Sequence, residues 1–205
     1  MFLNEKVLNN LMKQAYKTDG LVVAQNEDNW VYIAGRFWKV EIKREYIPKQ
    51  TLANIIALAG ELPEPRERFR SDKQGNQYEV EMPMSIDVKP YTMGPLTITD
   101  TLQIGTDGTL QRYLQDTDTG MLYLLNQAFI NLSKGSIDEE HGEYVPSDPF
   151  YSKVGVLWQN NICRMTATFR HDRKNKKTLD ALKGVDLTPL SLIHISEPTR
   201  RTPIS

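Results

Sequence analysis

The stretch from Asn29 to Arg44, N-W-V-Y-I-A-G-R-F-W-K-V-E-I-K-R, constrains the fold more than any other part of the chain. It holds two of the three tryptophans. After Gly35, the apolar residues Trp38, Val40 and Ile42 alternate with Lys39, Glu41 and Lys43, the period of a strand with unlike faces. Gly35-Arg36 reads as a two-residue hairpin loop with Gly at the first central position, as a type II′ turn requires. That register pairs Ala34 with Phe37, Ile33 with Trp38, Tyr32 with Lys39, Val31 with Val40 and Trp30 with Glu41. One face is then wholly apolar (Val31, Ile33, Trp38, Val40, Ile42) and must be buried. The other mixes Trp30, Tyr32 and Phe37 with Lys39, Glu41 and Lys43. Aromatics interleaved with lysines can stack on bases and touch phosphates, or anchor a protein interface. Trp30, Tyr32, Phe37, Lys39 and Lys43 are therefore binding-surface candidates. If a helix packs over this face instead, the same aromatics become core.

The flanking sequence supplies such helices. Residues 4–17 carry an apolar stripe (Val7, Leu8, Leu11, Met12, Ala15), Asn4 can cap the start, and Gly20 lies just past the end. Pro48 suits the first turn of a second helix, 49–60, with Leu52, Ile55, Ile56 and Ala59 on its buried face and Gly60 at its end. From residue 66 onward the pattern is strand-rich: Arg66–Asp72, Gln77–Met82, Leu96–Ile104, Thr109–Gln115, Met121–Leu125, Val154–Trp158 and Ile162–Arg170, separated by Gly-, Asn- and Asp-rich turns. Asn126–Ser133 fits a short helix or a strand. A last helix is expected at 176–183. The expected class is α+β, mainly antiparallel sheet with about three helices. Residues 1–189 would form one globular domain, or two packed lobes, 1–65 and 66–189.

The C-terminal stretch Leu190–Arg200, L-S-L-I-H-I-S-E-P-T-R, resembles an in-frame translation of the constant transposase end of a sequencing-library adaptor. Ile204-Ser205 fits the adaptor's second constant block at the right distance. The resemblance implies that 190–205 is a non-native tail, expected to be disordered and excluded from fold reasoning. The native sequence would then depart from this chain by Pro189 or Leu190, and a metagenomic origin would follow. Without the tail, the net charge moves from −1 to −2, since Arg200, Arg201 and Glu197 drop out. Only His141 and His171 then remain of the three histidines.

A near-neutral chain exerts no global pull toward nucleic acid or membrane, so any such binding must be local. The single Cys163 excludes an internal disulfide and fits a reducing compartment. No stretch approaches the ~20 apolar residues of a membrane span, and the N-terminus lacks a signal peptide's apolar run. A cytoplasmic protein without a membrane partner is expected.

Three further constellations carry chemistry. Asp138, Glu139, His141 and Glu143 offer carboxylates with one imidazole, a weak set of metal candidates, because no third committed ligand or supporting shell is visible. A solvated acidic loop explains the same residues. Arg170, Arg173, Lys174, Lys176 and Lys177 form the one basic run and are phosphate-contact candidates; a solvated turn explains them equally. Asp116–Gly120 imitates the start of a calcium loop, but Met121 stands where Gly is needed and Gln127 where the bidentate Glu is needed, so a β-turn is expected. Cys163 lies on a strand and lacks a sequence-adjacent base. The chain contains no Walker loop, dinucleotide fingerprint, nucleophile elbow or C-x-x-C pair, so no catalytic residue and no cofactor is expected.

These features favour a non-catalytic binding or assembly protein, with a protein partner or self-association, encoded by a phage or mobile element. A second expectation comes from Y-L-L-N-Q-A-F-I-N-L at 123–132, which resembles a helix-forming segment of bacterial sliding-clamp subunits. It implies a DNA-associated accessory protein, although no ring-interface motif carries over. A metal-dependent hydrolase using Asp138, Glu139, His141 and Glu143 is the third.

Overall fold

The N-terminal helix α1, Glu5–Thr18, begins where Asn4 accepts the Val7 amide at 3.2 Å, and it ends before Gly20, which takes a positive φ of 85°. Strands β1 (Leu21–Gln25), β2 (Trp30–Ala34) and β3 (Trp38–Lys43) follow, then a 3-10 turn at Arg44–Tyr46 and α2 (Lys49–Ala59). The computed structural model describes residues 1–78, 81, 84–86, 94–134, 146–152, 155–170 and 173–188, with the backbone alone at 173 and 174. The remaining described elements are β4 (Arg68–Asp72), β5 (Gly75–Gln77), β6 (Leu96–Ile104), β7 (Leu110–Asp116), β8 (Leu122–Asn126), α3 (Gln127–Leu132), β9 (Phe150–Ser152), β10 (Gly155–Gln159), β11 (Cys163–Ala167) and α4 (Arg173–Ala181). The class is α+β with mainly antiparallel sheet, as expected, and four helices are described. The ambiguous stretch after Asn126 is helical because the Asn126 side chain caps the Ala128 amide at 2.9 Å.

The principal sheet has eight strands in the order β5-β4-β1-β2-β3-β11-β10-β9, all antiparallel. The β2–β3 hairpin sits at its middle. Its register is Ala34↔Lys39, Ile33↔Val40, Tyr32↔Glu41, Val31↔Ile42 and Trp30↔Lys43, two residues away from the expected pairing. Arg36 and Phe37 form the tip, closed by the Gly35 N–H donating to the Trp38 carbonyl at 3.1 Å. A slip of two preserves every side chain's face, whereas a slip of one would invert them. Gly35 is therefore no turn glycine. A Cβ there would stand 2.5 Å from Trp38 Nε1, so the residue is small because the indole lies over it. At the other end, Asn26 Oδ1 accepts the amides of Asp28 (3.0 Å) and Trp30 (2.9 Å), and Asn29 takes the positive φ of 59° that Asn tolerates.

One continuous core joins Val31, Ile33, Trp38, Val40 and Ile42 to α1 (Leu8, Leu11, Met12), α2 (Ile55, Ala59), α3 (Phe129, Ile130) and the second sheet (Leu114, Leu125). That second sheet, β6-β7-β8, has a register shift between Ile98 and Leu102. The shift is held by Thr99 Oγ1 donating to the Tyr113 carbonyl at 2.9 Å and by Arg112 Nη1 donating to the Thr99 carbonyl at 2.7 Å. The segment resembling part of a clamp subunit is half strand (β8) and half helix (α3), in line with the strand expected at Met121–Leu125.

Helix α2 differs from expectation in one respect. Ile55 is fully buried, but Ile56 is 46% exposed and points away from the core, while Thr51 fills a buried position, donating to Glu5 Oε1 at 3.1 Å. We therefore expect Ile55→Ala to cost about 2–4 kcal/mol of stability and Ile56→Ala to stay within about 0.5 kcal/mol. Urea-unfolding midpoints of the two variants check this.

Candidate functional site

Pairing of β3 with β11 decides what the mixed face of the hairpin becomes. It sets Arg164 opposite Glu41 and Thr166 opposite Lys39, so Tyr32, Glu41 and Arg164 stand side by side across three strands. Glu41 is completely buried; its Oε2 takes Arg164 Nη1 at 3.2 Å and the Ile86 amide at 3.4 Å. Burial raises the Glu41 carboxyl above its usual range, and the Arg164 charge and the Ile86 amide only partly offset this. Tyr32 is pushed up by burial and then by the Glu41 charge. Lys39, half-buried, is pushed down by burial. Ile86, with Met84 and Phe150 alongside, covers Tyr32, Ala34, Val22, Ala24 and Leu157.

The five hairpin candidates are consequently not one surface. Tyr32 is core, because residues 84–86, which form no helix, pack over it through Ile86 and Met84. Trp30 is also buried, at 9% exposure, which corrects its expected place on an open surface; with Lys43 it forms one end of the hairpin. The Arg164 guanidinium lies 4.4 Å from the Trp30 ring centre and Lys43 Nζ lies 5.7 Å from it, so the π-face already holds cations. These residues border an open cleft of about 810 Å³ that also takes in Tyr46, Gln159, Asn160 and Asn161. The Asn160 side chain serves the turn, accepting the amides of Ile162 (3.0 Å) and Cys163 (2.8 Å). Gln159, Asn161 and the two cations give the cleft its polar character. Phe37 sits at the opposite end, 40% exposed, between the guanidinium groups of Arg36 (5.1 Å) and Arg170 (5.4 Å).

Of the basic run, Arg170 is anchored by Asp107 at 2.9 Å, while Lys176 and Lys177 are exposed on α4. Arg173 and Lys174 start that helix, and their side chains lie outside the described residues, as do Asp138, Glu139, His141 and Glu143. Among the described residues no three His, Cys, Asp or Glu side chains gather as metal ligands. Cys163 is fully buried and its thiol is pushed up by that burial, the reverse of an activated nucleophile. Asp116 closes its turn as expected, its Oδ1 accepting the amides of Asp118 (3.0 Å) and Thr119 (2.7 Å).

Arg164 is the residue that sequence reasoning missed. Its alternation with Cys163 and Met165 put it on a polar face, but nothing local placed it beside a glutamate 123 residues away. No protein-family model, curated protein or solved structure matches the chain significantly.

Two outcomes follow from the Glu41–Arg164 pair. Arg164→Ala is expected to cost about 3 kcal/mol, the low end for breaking a buried pair, because Arg164 keeps 28% exposure. Glu41 also sets a pH dependence. Its folded-state pKa is raised, so its contribution is fully present below the ordinary value of 4.5 and is lost as pH rises toward the raised value. Urea unfolding from about pH 4 to 7 should show wild-type stability falling relative to Glu41→Gln; a constant difference would contradict the assignment.

Proposed function

We propose that this chain is a non-catalytic binding or assembly protein, acting in the cytoplasm, that engages a protein partner or a second copy of itself through the cleft at the Trp30 end of the hairpin. The observation that carries this reading is the Trp30–Arg164–Lys43 stack at the rim of an open, polar cleft. Trp, Tyr and Arg are the residues that anchor protein interfaces, and the cation–π stack holds them in place before any partner arrives, which lowers the ordering cost of association. An open cleft edged by amides suits a polar macromolecular surface better than an enclosed small ligand. The buried, deactivated Cys163 agrees with a role without covalent chemistry. No described helix is long and apolar enough to cross a membrane. A phage or mobile-element origin belongs to the same proposal.

A DNA-associated accessory role is the alternative, favoured by the exposed Lys176 and Lys177 on α4. Sedimentation velocity of the full chain across a wide concentration range, with wild type and Lys43→Glu compared, tests the first reading. A concentration-dependent increase in mass that Lys43→Glu abolishes supports self-association. A co-purifying protein lost in that variant supports a partner. A monomer at every concentration, with nothing lost on substitution, overturns the reading. Duplex DNA binding that falls steeply with salt would favour the alternative.

A further inference from the structure

The three-stranded sheet leaves one strand edge beside a groove. Backbone groups of Met121, Tyr123 and Leu125 face β7: the Met121 carbonyl accepts the Asp116 amide at 2.8 Å, and Tyr123 and Leu125 pair with Leu114 and Arg112. Alternation then turns the amides and carbonyls of Leu122 and Leu124 outward, away from β7. The Leu124 carbonyl is occupied by the Arg170 amide at 2.8 Å. Leu122, one step along the same edge, has no such partner among the described residues.

The space beside Leu122 is a groove of about 560 Å³ between β8 and α4. Its floor is apolar: Met121, 50% exposed, with Leu122 and Leu179 half-buried. Its rim is basic, with Arg170, Lys176 and Lys183 against the single acid Asp180. Arg170 is committed to Asp107, but Lys176 and Lys183 make no ion pair among the described residues. The basic run noted in the sequence thus delivers part of its charge to the lip of an apolar slot.

The geometry points to a docking site for a short extended segment of a protein partner, with an apolar side chain in the slot and acidic residues at its ends. The segment adds to β8 at Leu122, continuing the line of pairing that Arg170 begins. Three features select this occupant together. The edge at Leu122, unpaired among the described residues, offers the main-chain amide and carbonyl that an added strand takes up together. The apolar floor accepts a side chain from alternate positions of that strand. The basic rim selects acidic neighbours and disfavours basic ones. This surface is separate from the Trp30 cleft, and it stands or falls independently of the reading given for that cleft.

A fluorescein-labelled peptide of alternating valine and glutamate, titrated against the full chain and followed by anisotropy, tests the proposal. Saturable binding is expected, with the Leu122 amide gaining hydrogen-exchange protection. N-methylation of the peptide's pairing amides should abolish it. The double variant Lys176→Glu, Lys183→Glu should weaken it about tenfold, and because both lysines are exposed the variant should melt as wild type does. Absence of saturation overturns the proposal, as does equal binding of the N-methylated peptide. Binding of a medium-chain fatty acid in place of the peptide overturns it too, since that ligand shares the charge and apolar chemistry but cannot pair with the edge.

Discussion

The β2–β3 hairpin gives up both edges and both faces. Its edges pair with β1 and β11, its apolar face meets α1, α2, α3 and the second sheet, and its mixed face lies under Ile86. A hairpin enclosed on four sides cannot keep a charge cheaply, yet Glu41 stands at its centre. Burying a lone carboxylate is prohibitive, so the position demands Arg164, and Arg164 is available only if β11 pairs with β3 in the observed register. The ion pair is thus made only in this strand order and register. It also positions Trp30, whose ring receives the outer side of the same guanidinium. One cation thus neutralises the interior and shapes the rim of the cleft.

The pair is costly to assemble. Arg164 and Glu41 are separated by 123 residues, and closing so long a loop is entropically unfavourable before its contacts are made. The hairpin and its neighbour β1 are local in sequence and carry most of the apolar face. Hydrophobic closure of the β1–β2–β3 meander against α1 can come first, with β9–β11 added to the β3 edge afterwards. In that order the β3 edge stays open, and Glu41 hydrated, until Arg164 is at hand.

What was legible in the sequence was whatever a period or a cap encodes. Alternation assigned Val31, Ile33, Trp38, Val40 and Ile42 to one face, and this survives a register error of two because a strand repeats every two residues. Asn4, Gly20 and Gly60 marked helix ends because orphan amides and left-handed backbone demand those residue types. The register differs by two because Gly35, which reads as a turn residue, is small to admit the Trp38 indole, a contact with no local signature. A helix stripe read from apolarity alone turns Ile56 inward, but Thr51, bonded to Glu5, takes the inner position and Ile56 is exposed. The candidate surface failed as a unit for the same reason. Exposure of Tyr32 depends on Ile86, and the environment of Trp30 depends on Arg164, both remote in sequence.

The edges of the two sheets explain why β8 differs from the other strands. An open edge invites unwanted pairing, and proteins blunt it with short strands, bulges or cover. Strands β5 and β9 are three residues each, and β9 is further tied to the second sheet where the Leu96 amide donates to the Pro149 carbonyl at 2.7 Å. Strand β6 is long but broken by its irregularity between Ile98 and Leu102, which twists the edge away from flat pairing. Strand β8 carries neither device. Its five residues pair regularly with β7, half of its outer edge is taken by Arg170, and α4 stands off far enough to leave the slot beside Leu122. Protection by charge is what remains, and Lys176 and Lys183 supply it. Lysines at an edge repel other basic strands and a second copy of the same rim, but they attract an acidic one, so the device that blunts this edge against self-pairing also defines the chemistry of what the edge can accept.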